Sequence, residues 1–163
     1  MKSDSKSEIL WAPWRMEYIL GVKESGCIFC TRINQENDRD NLILFRAEKS
    51  FVIMNKYPYN NGHLMVVPYR HTSEFDSFSD AEKLEMMNLV SKSMNVLKKT
   101  VSPDGFNVGL NIGKIAGAGI DDHLHFHIVP RWVADTNFMP VVGQTKVISE
   151  GLGETWERLK EDF

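Results

Sequence analysis

The alternation of apolar and polar positions divides the chain into short strands around one long amphipathic helix. LILF (42–45) and FVIM (51–54) are apolar runs joined by the polar segment RAEKS, which predicts a β-hairpin. YPYNNG (57–62) is a turn cluster, and HLMVVP (63–68) predicts a third strand closed by Pro68. Residues 79–99 predict the helix. Ser79 and Glu82 have the spacing of a capping box, and Leu84, Met87, Val90, Met94 and Leu97 recur at the interval of one buried face. Lys98 and Lys99 fall in its last turn, where the helix dipole favours cations. The methionines on that face read as core filling.

FNVGLNIG (106–113) then alternates strictly. Phe106, Val108, Leu110 and Ile112 share one face, expected to be buried, and Asn107, Gly109, Asn111 and Gly113 share the other. The glycine-rich GKIAGAGIDD (113–122) leads into HLHFHIVP (123–130), a further strand expected to run antiparallel to its predecessor. A short helix is expected around Glu154 to Lys160. Strands, a helix and strands again indicate an α+β fold with a mostly antiparallel sheet.

Length and composition narrow the function classes. A chain of 163 residues, 42% hydrophobic and 25% charged, suits one domain with a real core. No apolar run approaches the ~18 residues of a membrane helix, and MKSDSKSEIL at the start has no apolar signal core, so neither membrane partner nor secretion is expected. The formal charge of −3 argues against a broad phosphate-neutralising surface, hence against general nucleic-acid binding. Two cysteines make no disulfide framework, which fits a reducing, cytoplasmic compartment. Trp11, Trp14, Met16, Tyr18 and Ile19 give residues 1–26 the character of a segment that docks on the domain or on a partner subunit, and 132–163 reads as a C-terminal extension.

Candidate chemistry concentrates on histidine. Of five in the chain, His123, His125 and His127 occupy alternate positions of one predicted strand, so they share a face opposite Leu124, Phe126 and Ile128. Three imidazoles on a rigid apolar backing can bind a catalytic metal or act on phosphorus. No acidic residue follows until Asp135, which weakens the metal option. The glycine-rich loop just before the strand can present backbone N–H groups to an anion, which favours phosphorus chemistry. Cys27 and Cys30 read as a redox pair, half of a zinc site completed by histidines, or two core thiols.

HLHFHIV has the His-φ-His-φ-His-φ-φ pattern (φ apolar) and resembles the histidine-triad superfamily of nucleotide hydrolases and transferases. NGHLMVVPYRH (61–71) resembles that family's upstream strand with its extra histidine, and LNIGKIAGAG its phosphate segment. LWAPWRMEYI and PRWVADTNFMPV resemble the branch that includes bacterial diadenosine-tetraphosphate phosphorylases. The resemblance implies a single HIT-like domain with a five-stranded, mostly antiparallel sheet, one long helix and a short C-terminal helix. It implies His125 as the nucleophile that takes a nucleotidyl group from the α-phosphate, His127 on the phosphate and leaving-group oxygens, and His63 supporting the imidazole network. Asn111 and the backbone at Gly117, Ala118 and Gly119 would hold the α-phosphate, and Asn55 the ribose hydroxyls. Ile28, Phe29 and Met54 would line the base pocket. Where common hydrolase members carry Gln and then Ser or Thr before the triad, this chain has Gly119 and Ile120, a departure compatible with the phosphorylase-like branch.

The resemblance further implies structural zinc on Cys27, Cys30, His71 and His123, no organic cofactor, an adenine nucleotide substrate, and a homodimer or higher oligomer with the sheet continued across the interface. Arg131, Trp132, Lys146 and the Arg15 segment are candidates for distal phosphate contacts, with solvated charge or interface packing given at least equal weight for each. The competing reading is a non-catalytic nucleotide sensor or adaptor using the same pocket.

Overall fold

The computed structural model describes residues 26–133, 135 and 150–163. The Trp11/Trp14 docking segment, Arg15, Lys146 and, of the proposed C-terminal extension, residues 134 and 136–149 lie outside the described residues. Five strands, β1 (Ile43–Arg46), β2 (Ser50–Met54), β3 (Leu64–Pro68), β4 (Gly105–Leu110) and β5 (Phe126–Arg131), form one antiparallel sheet in the order β1-β2-β3-β5-β4. Three α-helices accompany it among the described residues: α1 (Ile28–Ile33), α2 (Asp80–Val101) and α3 (Leu152–Lys160). None is long and apolar enough to cross a membrane.

The continuous apolar runs of β2 and β3 follow from their central place in the sheet, with every residue of both strands buried. Alternate side chains serve two cores. Val52, Met54, Leu64 and Val66 pack on one face with α2 and α3, while Phe51, Ile53, Met65 and Val67 pack on the other with Phe29 of α1. Pairing Met54 with Leu64 and Ile53 with Met65 aligns both sets. Met54 is therefore committed to the α2 core, which removes it from the expected base pocket.

The capping box forms: the Ser79 hydroxyl accepts from the Glu82 backbone N–H at 3.3 Å, and the Glu82 carboxylate accepts from that of Ser79 at 2.8 Å. The buried stripe of α2 differs from the expected one. Met86, Leu89, Val90, Ser93, Val96 and Leu97 face the sheet, whereas Leu84 is 63% and Met87 51% exposed. The two stripes have the same period and share Val90 and Leu97. Packing against β2, β3 and β5 selects between them.

Two further expectations are corrected at the strands. Val108 and, just beyond β4, Ile112 are exposed, because β4 is the terminal strand of the described sheet and α2 packs on β2, β3 and β5. The opposite edge is covered by α3, where Trp156 Nε1–H donates to the Ile43 carbonyl and Lys160 Nζ to that of Leu44. The predicted strand 123–130 begins only at Phe126, since both ladders of β5 start there. His123–His125 precede the ladder and are held by other bonds, among them the Leu124 amide to the Thr72 carbonyl at 2.9 Å. Apolar Leu124, Phe126 and Ile128 still pack on the α2 side.

Candidate active site

β3 and β5 lie side by side, with Met65 opposite His127, so the turn before β3 delivers His63 to the histidine segment. His63 is buried and its Nε2 stands 3.0 Å from His127 Nδ1. The Tyr59 backbone N–H donates to His63 Nδ1 at 3.1 Å, and the Tyr59 ring stacks on the imidazole with centroids 4.9 Å apart. On the same face His125 directs Nδ1 at the His123 carbonyl, 2.9 Å away. A carbonyl only accepts, so Nδ1 carries the proton and the neutral ring keeps its lone pair on Nε2. Burial pushes the His125 imidazole below the ordinary histidine range, against the opposing effect of that bond. A buried imidazole with a bare Nε2 has the protonation state that a nucleophilic role requires.

His125 and His127 line an open cleft of about 590 Å³. Its apolar wall is Ile28 and Phe29 from α1 with Met65 and Ile120, and Phe29 packs its ring 5.0 Å from that of His125. Met65 thus stands where Met54 was expected, because alternate residues of a strand point to opposite faces. Asn55, Gly117 and Gly119 of the expected substrate residues line the cleft; Asn111 and Ala118 are not among its lining residues. Arg32, Lys56, Tyr57 and Tyr59 also line it and were not singled out from sequence. The YPYNN turn signal next to Asn55 was the only pointer to the two tyrosines.

The glycine-rich loop folds around a 3₁₀ turn, Lys114–Ala116, flanked by Gly113 and Gly117 at φ +82° and +87°, which only glycine adopts readily. The Gly117 N–H donates to the Lys114 carbonyl at 3.0 Å and the Ala118 N–H to that of Gly113 at 3.4 Å. These two amides, expected on the α-phosphate, are spent within the loop. Lys114 and Asp121 pair at 3.6 Å across its ends.

Beside the cleft, Cys27, Cys30, His71 and His123 converge, their ligand atoms all within 4.8 Å of one another. Cys27 Sγ lies 3.2 Å from His123 Nδ1, and Cys30 Sγ lies 3.5 Å from His71 Nδ1. Zinc bonds of ~2.0–2.3 Å place tetrahedral ligand atoms roughly 3.5 Å apart, so two sulfurs and two ring nitrogens at these separations fit that ion. His123 is oriented for it, since its Nε2–H donates to the Pro68 carbonyl at 2.9 Å and turns Nδ1 to the sulfurs. Burial lowers the proton affinity of His123, which keeps the ring neutral, as a ligand must be. Burial and then the adjacent Cys27 push the Cys30 thiol above its ordinary range.

Comparison with known proteins bears on the family and the fold. A HIT domain model matches residues 36–133. The chain is 42% identical over 162 residues, 94% of its own length and 83% of the relative's, to the AP-4-A phosphorylase of Mycobacterium tuberculosis. It is 31% identical over 106 residues to an adenosine 5'-monophosphoramidase of Schizosaccharomyces pombe, covering 65% of this chain and 74% of that one. A histidine triad nucleotide-binding protein from Sulfolobus tokodaii superimposes with a TM-score of 0.68 at 28% identity, over 83% of this chain and 91% of that one. A Zn-bound histidine triad family protein from Mycobacterium smegmatis has the same fold, with a TM-score of 0.68 at 21% identity over 84% and 92% of the two chains.

Proposed function

The chain belongs to the HIT domain family, and on that premise we propose that it transfers a nucleotidyl group from an adenine dinucleotide through a covalent intermediate on His125, with diadenosine tetraphosphate as substrate and inorganic phosphate as acceptor. The observation that carries this reading is the His125 Nδ1–H pinned to the His123 carbonyl beside the cleft. His125 Nε2 attacks the α-phosphorus, the bond from phosphorus to the leaving nucleotide's oxygen breaks, and that oxygen departs with the bond's electron pair. His127 donates a proton to it as general acid. Phosphate then attacks the phosphorus of the nucleotidyl-histidine, releasing ADP and returning the lone pair to Nε2. The apolar wall of Ile28, Phe29 and Met65 takes the base. The identity to a phosphorylase over nearly the whole chain supports phosphate as acceptor.

Zinc would be held by Cys27, Cys30, His71 and His123 and would act structurally, tying α1 to the segment that carries His125. With four protein ligands such a site has no open position for substrate. The β4 edge, which no described strand pairs, and its exposed Val108 support a homodimer with the sheet continued across it. Two cysteines that are not joined in a disulfide support a cytoplasmic setting.

The test is turnover of diadenosine tetraphosphate with and without inorganic phosphate. ADP plus ATP, formed only with phosphate, is the expected result. AMP plus ATP would make water the acceptor. Nucleotide binding with neither product and no mass-shifted His125 adduct would favour the sensor reading.

A further inference from the structure

Asn55 makes two contacts that fix which way its amide points. Its Oδ1 accepts the Tyr57 backbone N–H at 2.9 Å, closing the turn after β2. A backbone N–H only donates, so Oδ1 must be the atom on that side and Nδ2 the atom on the other. Nδ2 lies 3.3 Å from His63 Nδ1. The same ring nitrogen accepts the Tyr59 backbone N–H at 3.1 Å. Two donors aimed at one nitrogen leave no room for a proton there, and a doubly protonated ring could not accept either bond. His63 is therefore protonated on Nε2, which donates to His127 Nδ1 at 3.0 Å. His127, accepting at Nδ1, carries its own proton on Nε2.

We infer that Asn55 is a positioning residue: its carboxamide, with the Tyr59 backbone N–H, locks the His63 tautomer and through it sets His127 as a proton donor at the cleft. This assignment rests on the proposed role of His127 and differs from the ribose contact that the family resemblance implies for Asn55. The amide is needed as an amide. A carboxylate at 55 would keep the acceptor for Tyr57 and the turn, but would replace the donor to His63 by an anion. That anion attracts a proton to His63 Nδ1, the nitrogen from which the native network excludes it.

The test is Asn55→Asp in the full chain, with two readouts. Two-bond ¹H–¹⁵N spectra of the histidine rings are expected to give protonated Nε2 and bare Nδ1 for His63 and His127 in the native chain, and a protonated His63 Nδ1 in the variant. Turnover of diadenosine tetraphosphate is expected to lose roughly tenfold or more in kcat, with KM nearly unchanged, since a carboxylate still accepts from ribose hydroxyls. The loss is expected to vanish in a His63→Gln background, where no ring remains to be oriented. A native His63 proton on Nδ1, an unchanged ring pattern in the variant, or a loss confined to KM would each overturn the assignment. Should Asn55→Asp not fold, Asn55→Ala carries the same readouts, with mixed His63 tautomers expected. The spectra need no substrate, so a chain inactive on diadenosine tetraphosphate overturns the proposed substrate and still reports on Asn55.

Discussion

His63 Nε2 and His127 Nδ1 lie 3.0 Å apart, joining the residue just before β3 to the second residue of β5. If His127 delivers the proton to the leaving oxygen, His127→Asn is expected to lower kcat by roughly 10²–10⁴-fold, the span of one general acid. The effect is expected to shrink with substrates whose leaving group needs no proton. Steady-state kinetics across leaving groups of different pKa check this; an equal loss for all of them speaks against an acid role.

His125→Gly removes the proposed nucleophile while leaving the apolar wall in place. Nucleotide affinity is expected to stay within a few-fold and turnover to fall to background. Calorimetric titration and intact-mass analysis after brief mixing read the two effects separately. Retained turnover, or an adduct on the variant, would take His125 out of the role.

The sulfur and nitrogen cluster predicts one zinc per chain by elemental analysis. Cys30→Ser is expected to lower the zinc content and to reduce the thermal midpoint by roughly 5–10 °C, because the bound ion stabilises the folded state alone. Equal midpoints for the native chain with and without a strong chelator, at full removal of metal, would contradict a structural ion.

Ser93 sits in the buried stripe of α2 with no exposed surface, and its hydroxyl has no hydrogen-bond partner among the described residues. Ser93→Ala removes a desolvated polar group and improves helix propensity. It is expected to stabilise the chain by about 1 kcal/mol, or ~2–4 °C. Chemical denaturation measures it, and a loss of stability would point to a buried water on that oxygen.

Glu82 closes the capping box, and the Ser79 backbone N–H, then the Ser79 hydroxyl, hold its carboxyl below the ordinary glutamate range. A carboxylate with a depressed folded-state pKa contributes stability above its unfolded value of about 4.3. That contribution is lost as pH falls through the depressed folded value. Glu82→Gln is expected to flatten this part of the acid limb, and Ser79→Ala to cost about 1 kcal/mol near neutral pH. Denaturation curves from pH 3 to 7 test both; an unaltered acid limb in Glu82→Gln would exclude the cap.

The elements themselves were legible because their signals are local. Ser79 and Glu82 start α2 through bonds three residues apart, and the apolar runs of β2 and β3 are long enough to declare themselves. The alternation of His123, His125 and His127 against Leu124, Phe126 and Ile128 likewise placed the imidazoles opposite the α2 core. α1 was not foreseen. Six residues with no side-chain cap carry too little helical signal, and Cys27 at the N-cap with Cys30 inside the helix is a spacing that points to sulfur chemistry rather than to a helix.

The chain's residues alone determined the fold class, the capped helix and the identity of the histidine segment, since each rests on neighbours a few positions apart. Tertiary structure decided what depends on distant partners: which of two equally spaced stripes of α2 faces the sheet, that Met65 rather than Met54 lines the cleft, and that Val108 lies on the terminal strand of the described sheet. It also decided the protonation pattern. Two backbone amides, from Tyr57 and Tyr59, orient Asn55 and His63, and a hydrogen bond's direction is settled only when donor and acceptor meet in space.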